Sequence, residues 1–343
     1  MPLGNLSVVD ENYILPDKNR EVMKKLQFAN IPTPVQTLKF NDCTFQIKRD
    51  DLTGMELSGN KVRKLEYLLY DAKRQGAGVI FTCGGDQSNH ARATAIAAAA
   101  AGFKSKLFLW GKDSNNPEGN LFLDKFIGSE IQFLTRKMYE NVYDIMNLEK
   151  EKREKKGQKV YIIPAGGSSE VGIWGYINFY DELKNQINLN VVDGILTACG
   201  SGGTSAGLLT GAAIHNPDLR IYAVNVLASA EEMRSEILTL AESCIRRYKL
   251  NVKFNKNNLI ILDGYSAEGY KHISPDIVNV IRDFARKTSI ILDPAYTGKA
   301  FCAYNDHFLK NKRKSKVLFV HTGGFFGVFN KRKQYLTSID LDS

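Results

Sequence analysis

From residue 78 onward, short apolar runs alternate with segments of helix length, and that alternation leaves the chain few architectures. "GVIFTCGG" is followed by "SNHARATAIAAAAAGF", "KSKLFLWG", "NLFLDKFIG", "EIQFLT", a charged helix expected from about Tyr139 to Lys156, and "KVYIIPAGG". The pattern resumes with "GIWGYINFYDELKNQI", "VDGILTACG", "TSAGLLTGAAIH", "RIYAVNV", helices around "AEEMRSEILTLAESCIRRYKL" and "PDIVNVIRDFARKT", and finally "KVLFVHTGG". Glycine-bounded strand runs separated by helices predict an α/β fold of parallel sheets covered by helices on both faces. One sheet would hardly take every strand, so two open, mostly parallel twisted sheets flanking a cleft are expected. The turn-rich "IPAGGSSEVG" near residue 168 is the natural boundary between them. The segment before Leu57 is less regular, and its "IKRDD" reads as a strand leading into a loop.

Four of these strands end in glycine corners. "GILTACGSGGTSAGLLTG" is a buried strand, a turn and a helix. A turn without side chains lets backbone N–H groups converge, and the helix terminus adds positive partial charge. Gly200, Ser201, Gly202, Gly203 and Thr204 therefore form either a phosphate cup, with Ser201 and Thr204 adding hydroxyl donors, or a plain tight turn. The dinucleotide fingerprint fails because Ser205 stands where the third glycine belongs, and no Gly-Lys-Ser/Thr closes a P-loop. In "TCGGDQSNHARATAIAAAA", Ser88 or Asn89 suits a helix cap. Capping alone does not account for the run Gln87, Ser88, Asn89, His90, which stands at a strand end of the kind that faces a cleft. His90 by itself reads equally as a satisfied imidazole. "IIPAGGSSEVG" and "FVHTGGFFG" repeat the theme, and together the four corners could enclose one small anionic ligand.

In "LSGNKVRKLEYLLYDAKRQG", a helix beginning after Asn60 places Leu65, Leu68, Leu69 and Ala72 four, seven, eight and eleven residues beyond Lys61, on its own apolar side. Arg63 and Lys64 are expected on the flanks. Lys61 is then either a snorkelling side chain whose stem covers apolar surface or an amine desolvated enough to form a Schiff base.

Composition excludes several classes. The formal charge of +9 arises from 46 basic and 37 acidic residues, concentrated in runs such as "KEKREKKGQK" that lack the interleaved aromatics of a base-stacking groove, so nucleic acid is not expected. The five cysteines are scattered without C-x-x-C spacing and suggest neither a disulfide frame nor a metal site. No apolar run has the length of a membrane span, and the chain reads as cytoplasmic.

The stretches "KRDDLTGMELSGNKVRKLEYLL", "GGDQSNHARATAIAAA", "CGSGGTSAGL", "LDPAYTGKAF" and "VHTGG" carry a family resemblance. In that order they resemble the tryptophan-synthase-β-like enzymes that use pyridoxal 5′-phosphate, and more narrowly the D-cysteine desulfhydrase and 1-aminocyclopropane-1-carboxylate (ACC) deaminase family. The resemblance implies a small α/β domain, residues 57–168, inserted into a large cofactor-binding domain formed by residues 1–56 and 169–343, in place of two sequential units. It also implies a homodimer. Lys61 would carry the cofactor, the turn from Gly200 to Thr204 would bind its phosphate, and Asn89 would hydrogen-bond the pyridine 3′-oxygen. Ser88, with the amides of the Gln87 to His90 turn, would meet the substrate carboxylate, and Tyr270 and Tyr296 would face the substrate.

Within that family, the ACC deaminases that this chain resembles carry glutamate after the tyrosine of "PAYTGK", near the pyridine nitrogen, and leucine before the final Gly-Gly. Here these positions are Thr297 and Thr322, as in the desulfhydrase pattern, and His90 replaces a glutamine. A carboxylate would keep the ring protonated and deepen the electron sink. The resemblance therefore implies β-elimination on a small amino acid, foremost D-cysteine to pyruvate, hydrogen sulfide and ammonia, with Lys61 as base and Tyr296 or Tyr270 as acid. ACC deamination, elimination from another amino acid such as cysteate, and a non-catalytic amino-acid-binding module are the alternatives.

Overall fold

The computed structural model of the protein describes residues 8–10, 23–227, 229–266, 273–310 and 316–337. Its strands, in chain order, are β1 (Val8–Asp10), β2 (Lys24–Leu26), β3 (Val35–Phe40), β4 (Cys43–Lys48), β5 (Val79–Gly85), β6 (Lys104–Trp110), β7 (Glu130–Leu134), β8 (Val160–Ile162), β9 (Gly194–Cys199), β10 (Arg220–Asn225), β11 (Leu259–Leu262) and β12 (Val317–Val320). The small sheet is wholly parallel in the order β7-β6-β5-β8. All four of its strands fall within residues 57–168. The large sheet runs β11-β10-β9-β12-β4-β3, parallel except for β3, and β1 and β2 pair separately.

The strand at the centre of each sheet reads as a continuous apolar run because both of its faces are covered; every residue of β9 is buried. The antiparallel edge has a different origin. Asn41 and Asp42 adopt φ of 47° and 62°, joining β3 to β4 through a two-residue turn of the handedness that matches strand twist. Neither β3 nor β11 was anticipated. β3 is mostly half-buried and mixed in polarity, and β11 is a four-residue edge strand. The single charged helix expected from Tyr139 to Lys156 is two helices, Arg136–Tyr139 and Val142–Glu154.

The helix Asn60–Arg74 sits where the two sheets meet, and a buried ionic network fixes it. Arg63 Nε and Nη2 donate to the two Asp50 oxygens at 2.9 and 2.7 Å, and Nη1 donates to Glu182 at 2.8 Å. Tyr176 donates to Asp50 at 2.6 Å, and Lys48 pairs with Glu182. Attraction to Asp50 and Glu182 holds the Arg63 guanidinium well above its usual range, although burial opposes this. Arg63 is therefore buried in an ion cluster, and not on a solvated flank. Close approach on the same side depends on Gly175, where a Cβ would lie 2.4 Å from Arg63 O.

Candidate functional site

The carboxyl ends of β5, β9 and β12 and the first turn of the Asn60–Arg74 helix converge on a cavity of about 260 Å³. This is where open α/β sheets place ligands. Lys61 lines it, and burial lowers the amine's pKa to about 8. Among the described residues no carboxylate pairs with it. Lys64 also lines the cavity, contrary to the expected flank position, and is 1% exposed. Its Nζ donates to Gly166 O at 3.1 Å. Burial, and then repulsion from Lys61, hold the Lys64 amine well below its ordinary range.

The glycine turn after β9 brings Gly200, Ser201, Gly202, Gly203 and Thr204 to the same wall. Gly202 has φ of 72° and caps the Gly203–His215 helix, whose amino end faces the cavity. A Cβ on Gly202 would point at Ile237, away from the cavity, whereas one on Gly203 would come within 2.3 Å of Ser168 Oγ and 2.8 Å of Lys64 Nζ. Gly203 is therefore the position that keeps space open between the cup and Lys64. Asn60 Nδ2 donates to Thr204 Oγ1 at 2.9 Å, tying the cup to the helix that bears both lysines.

After β5, Ser88 caps the Asn89–Ala100 helix by accepting from Ala91 N at 3.1 Å, and Ser88, Asn89 and His90 all line the cavity. Gln87 does not. Its Nε2 donates to Glu118 O and its Oε1 accepts from Asn120 N, both at 3.1 Å, so its side chain turns away from the expected substrate position. His90 Nε2 meets Thr82 Oγ1 at 2.9 Å. That hydroxyl also donates to Ile163 O at 2.9 Å, and the imidazole lies against the Pro164 carbonyl as well. Burial, followed by repulsion from Lys61 and Lys64, pushes its pKa well down and keeps the ring neutral.

Tyr296 and Thr322 line the cavity. Burial and the nearby Asp293 carboxylate raise the Tyr296 phenol, which stays protonated. Thr297 is buried but does not reach the cavity. Its hydroxyl donates to Asp293 Oδ1 at 2.7 Å and accepts from Asp293 N at 2.8 Å, and Asp293 in turn accepts from the amides of Ala295, Tyr296 and Thr297. Thr297 therefore helps hold a helix cap, directly after Tyr296, which does line the cavity. A glutamate there would put a second carboxylate against Asp293. Tyr270 lies outside the described residues.

Several cavity residues escaped the sequence reading, among them Ser58, Trp110, Tyr139 and Leu227. Trp110 ends β6 immediately before a glycine, the strand-end position already used for the other corners, and Tyr139 closes the short Arg136–Tyr139 helix. Among the described lining residues there is no aspartate or glutamate. The wall consists of two amines, hydroxyls, the amides of Asn60 and Asn89, the His90 imidazole, two thiols, glycine backbone, aromatic rings and a few small apolar side chains. It suits an anionic aromatic ligand with a group that can react with an amine.

A family profile described as pyridoxal-phosphate dependent enzyme matches residues 26–323. The chain belongs to that family. A Thermotoga maritima protein bearing the provisional name of a 1-aminocyclopropane-1-carboxylate deaminase is 43% identical over 310 residues, 88% of this chain and 97% of its own. A mitochondrial protein of Arabidopsis thaliana, named a bifunctional D-cysteine desulfhydrase/1-aminocyclopropane-1-carboxylate deaminase, is 34% identical over 89% of this chain and 79% of its own. The crystal structure of an ACC deaminase homologue superposes with a TM-score of 0.84 at 36% identity, covering 92% of this chain and 96% of that one.

The cavity fits the family's cofactor. Gly166, at φ of 67°, leaves open the space between Lys61 and the cup, because a Cβ there would stand 3.4 Å from Lys61 Nζ and 2.0 Å from Ser201 Oγ. A helix amino end, the Lys64 amine and the hydroxyls of Ser201 and Thr204 form a donor set for a phosphate.

Proposed function

We propose that the protein catalyses β-elimination on a small amino acid, foremost D-cysteine, releasing pyruvate, hydrogen sulfide and ammonia. The observation that carries this reading is the pair Thr297 and Thr322, standing where the ACC deaminases that the chain resembles carry glutamate and leucine. Pyridoxal phosphate, when bound, supplies an electron sink for negative charge at the substrate's α-carbon. A carboxylate against the ring nitrogen would deepen that sink, and opening an unactivated cyclopropane calls for a deep one. Expelling a thiolate from the β-carbon asks less.

In this reading Lys61 Nζ holds the cofactor and, once freed by the incoming amine, takes the α-proton; its depressed pKa suits both tasks. The Gly200 to Thr204 turn and Lys64 hold the phosphate, and Asn89 holds the ring oxygen. Ser88 holds the substrate carboxylate, beside a neutral His90. Tyr296, kept as a phenol by burial, donates a proton to the departing sulfur, and Tyr270 faces the substrate as the resemblance implies. The enamine product then takes up one water to give pyruvate and ammonia. Thr322 shapes the wall around the ring.

ACC deamination is the second reading, favoured by the names of the Thermotoga and Arabidopsis relatives. Sulfide and pyruvate should be measured from D-cysteine, L-cysteine and cysteate, and 2-oxobutanoate from ACC, on the purified holoenzyme. Elimination from D-cysteine should have the highest kcat/KM. Faster turnover of ACC would replace this reading by the second.

A further inference from the structure

Asn120 lies behind the cavity wall on the Gly119–Phe126 helix and is completely buried. Its Oδ1 accepts from Arg92 Nε at 2.9 Å, and its Nδ2 donates to Gln87 O and to Asn89 Oδ1, each at 2.9 Å. The two ends of an amide are alike in shape, so their orientation has to follow from the partners. Here both partners decide it. A guanidinium only donates, so the atom facing Arg92 is oxygen, and the Gln87 carbonyl only accepts, so the other atom is nitrogen. Asn89 must then turn its own oxygen toward Asn120, which leaves Asn89 Nδ2 as the atom available to the cavity.

Arg92 is itself fixed. Its guanidinium donates to the carbonyls of Glu56 and Ser58, in the loop leading to Lys61, and lies 4.8 Å from the centre of the Phe326 ring. We propose that Asn120 is a positioning residue: held by Arg92, it fixes the Asn89 amide with its NH₂ toward the cavity, and so selects a hydrogen-bond acceptor at that point of the ligand. The proposal rests on the reading of the cavity as the pyridoxal phosphate site with Asn89 at the ring oxygen.

The test is the pH midpoint of the visible band of the cofactor-loaded protein. Asn120→Asp keeps an acceptor for Arg92 but places a second oxygen against Asn89, driving that amide to reverse. Losing the donor returns negative charge to the ring oxygen and holds the neighbouring proton more tightly, so the midpoint should rise by about one pH unit. Asn89→Ala should shift it in the same direction. In the Asn89→Ala background Asn120→Asp should move it much less, because only its charge then acts. Asn120→Ala, which adds no charge and serves also if the aspartate variant does not fold, should give a smaller rise in the same direction. An unchanged midpoint in both Asn120 variants, with a shift in Asn89→Ala, overturns the proposal and leaves the cofactor reading standing. No shift in any variant overturns both. An equal shift by Asn120→Asp in the two backgrounds shows Asn120 acting without Asn89 and also overturns the proposal.

Discussion

Lys61 lines the cavity close to a second amine, with no acid beside it among the described residues, and a group so placed loses its proton more readily than a lysine in water. Burial brings its pKa to about 8. The direction fixes the pH dependence: below that value the ammonium dominates, and each unit of acidification removes about tenfold of the reactive amine. Capture of pyridoxal phosphate by cofactor-stripped protein should therefore accelerate up to about pH 8 and level off above it. A rate still rising at pH 10, as for an unperturbed lysine, would contradict the desolvated site. The sequence made Lys61 legible through helical periodicity, but the same periodicity places residue i+3 on that face, and Lys64 was assigned to the flank because charged residues usually seek water. Arg63 was misplaced for the same reason, its partners Asp50 and Glu182 being 13 and 119 residues away. A buried ion cluster assembled from distant segments leaves no local signature.

At the scale of elements, the strand–glycine–helix unit of residues 194–215 was readable because its parts are contiguous, but the work of each glycine was not. Gly202 takes a left-handed conformation and its Cβ direction faces Ile237, while Gly203 faces Ser168 and Lys64. Gly203→Val should be accommodated only by a local shift at Ser168, whose Oγ and Cβ a new Cβ would meet at 2.3 and 2.9 Å, together with the movable Lys64 Nζ. It should still weaken cofactor affinity by roughly ten- to a hundredfold, as overpacking by about 1–3 kcal/mol implies. Gly202→Ala should instead lower thermal stability by about 1–2 kcal/mol, the cost of a left-handed non-glycine residue, with a smaller effect on affinity. Equilibrium dialysis with pyridoxal phosphate and thermal melts of both variants check this; the opposite assignment of effects would mean that the cup is oriented otherwise. Thr297 gives the complementary lesson. Its place in "PAYTGK" was legible, yet its hydroxyl is committed to Asp293, four residues earlier, a local cap that motif reading passed over.

For the whole molecule, alternating strands and helices were enough to anticipate two mainly parallel sheets and a site at their carboxyl ends, since that architecture follows from burying both faces of each sheet. They did not show which strands pair across the large sheet, where β12 lies between β9 and β4 although 269 residues separate Lys48 from Val317. Tertiary closure of that kind brings Thr322 and its glycines against Lys61 and Asn60, and Asn60 N donates to Thr322 O at 3.1 Å. Every role proposed for the cavity residues turns on which of the two amines carries the cofactor. Reducing the holoenzyme with borohydride, digesting it and mapping the modified peptide by mass spectrometry answers this directly. The pyridoxyl group is expected on Lys61 with Lys64 unmodified; modification of Lys64, or of neither lysine, would contradict the role proposed for Lys61.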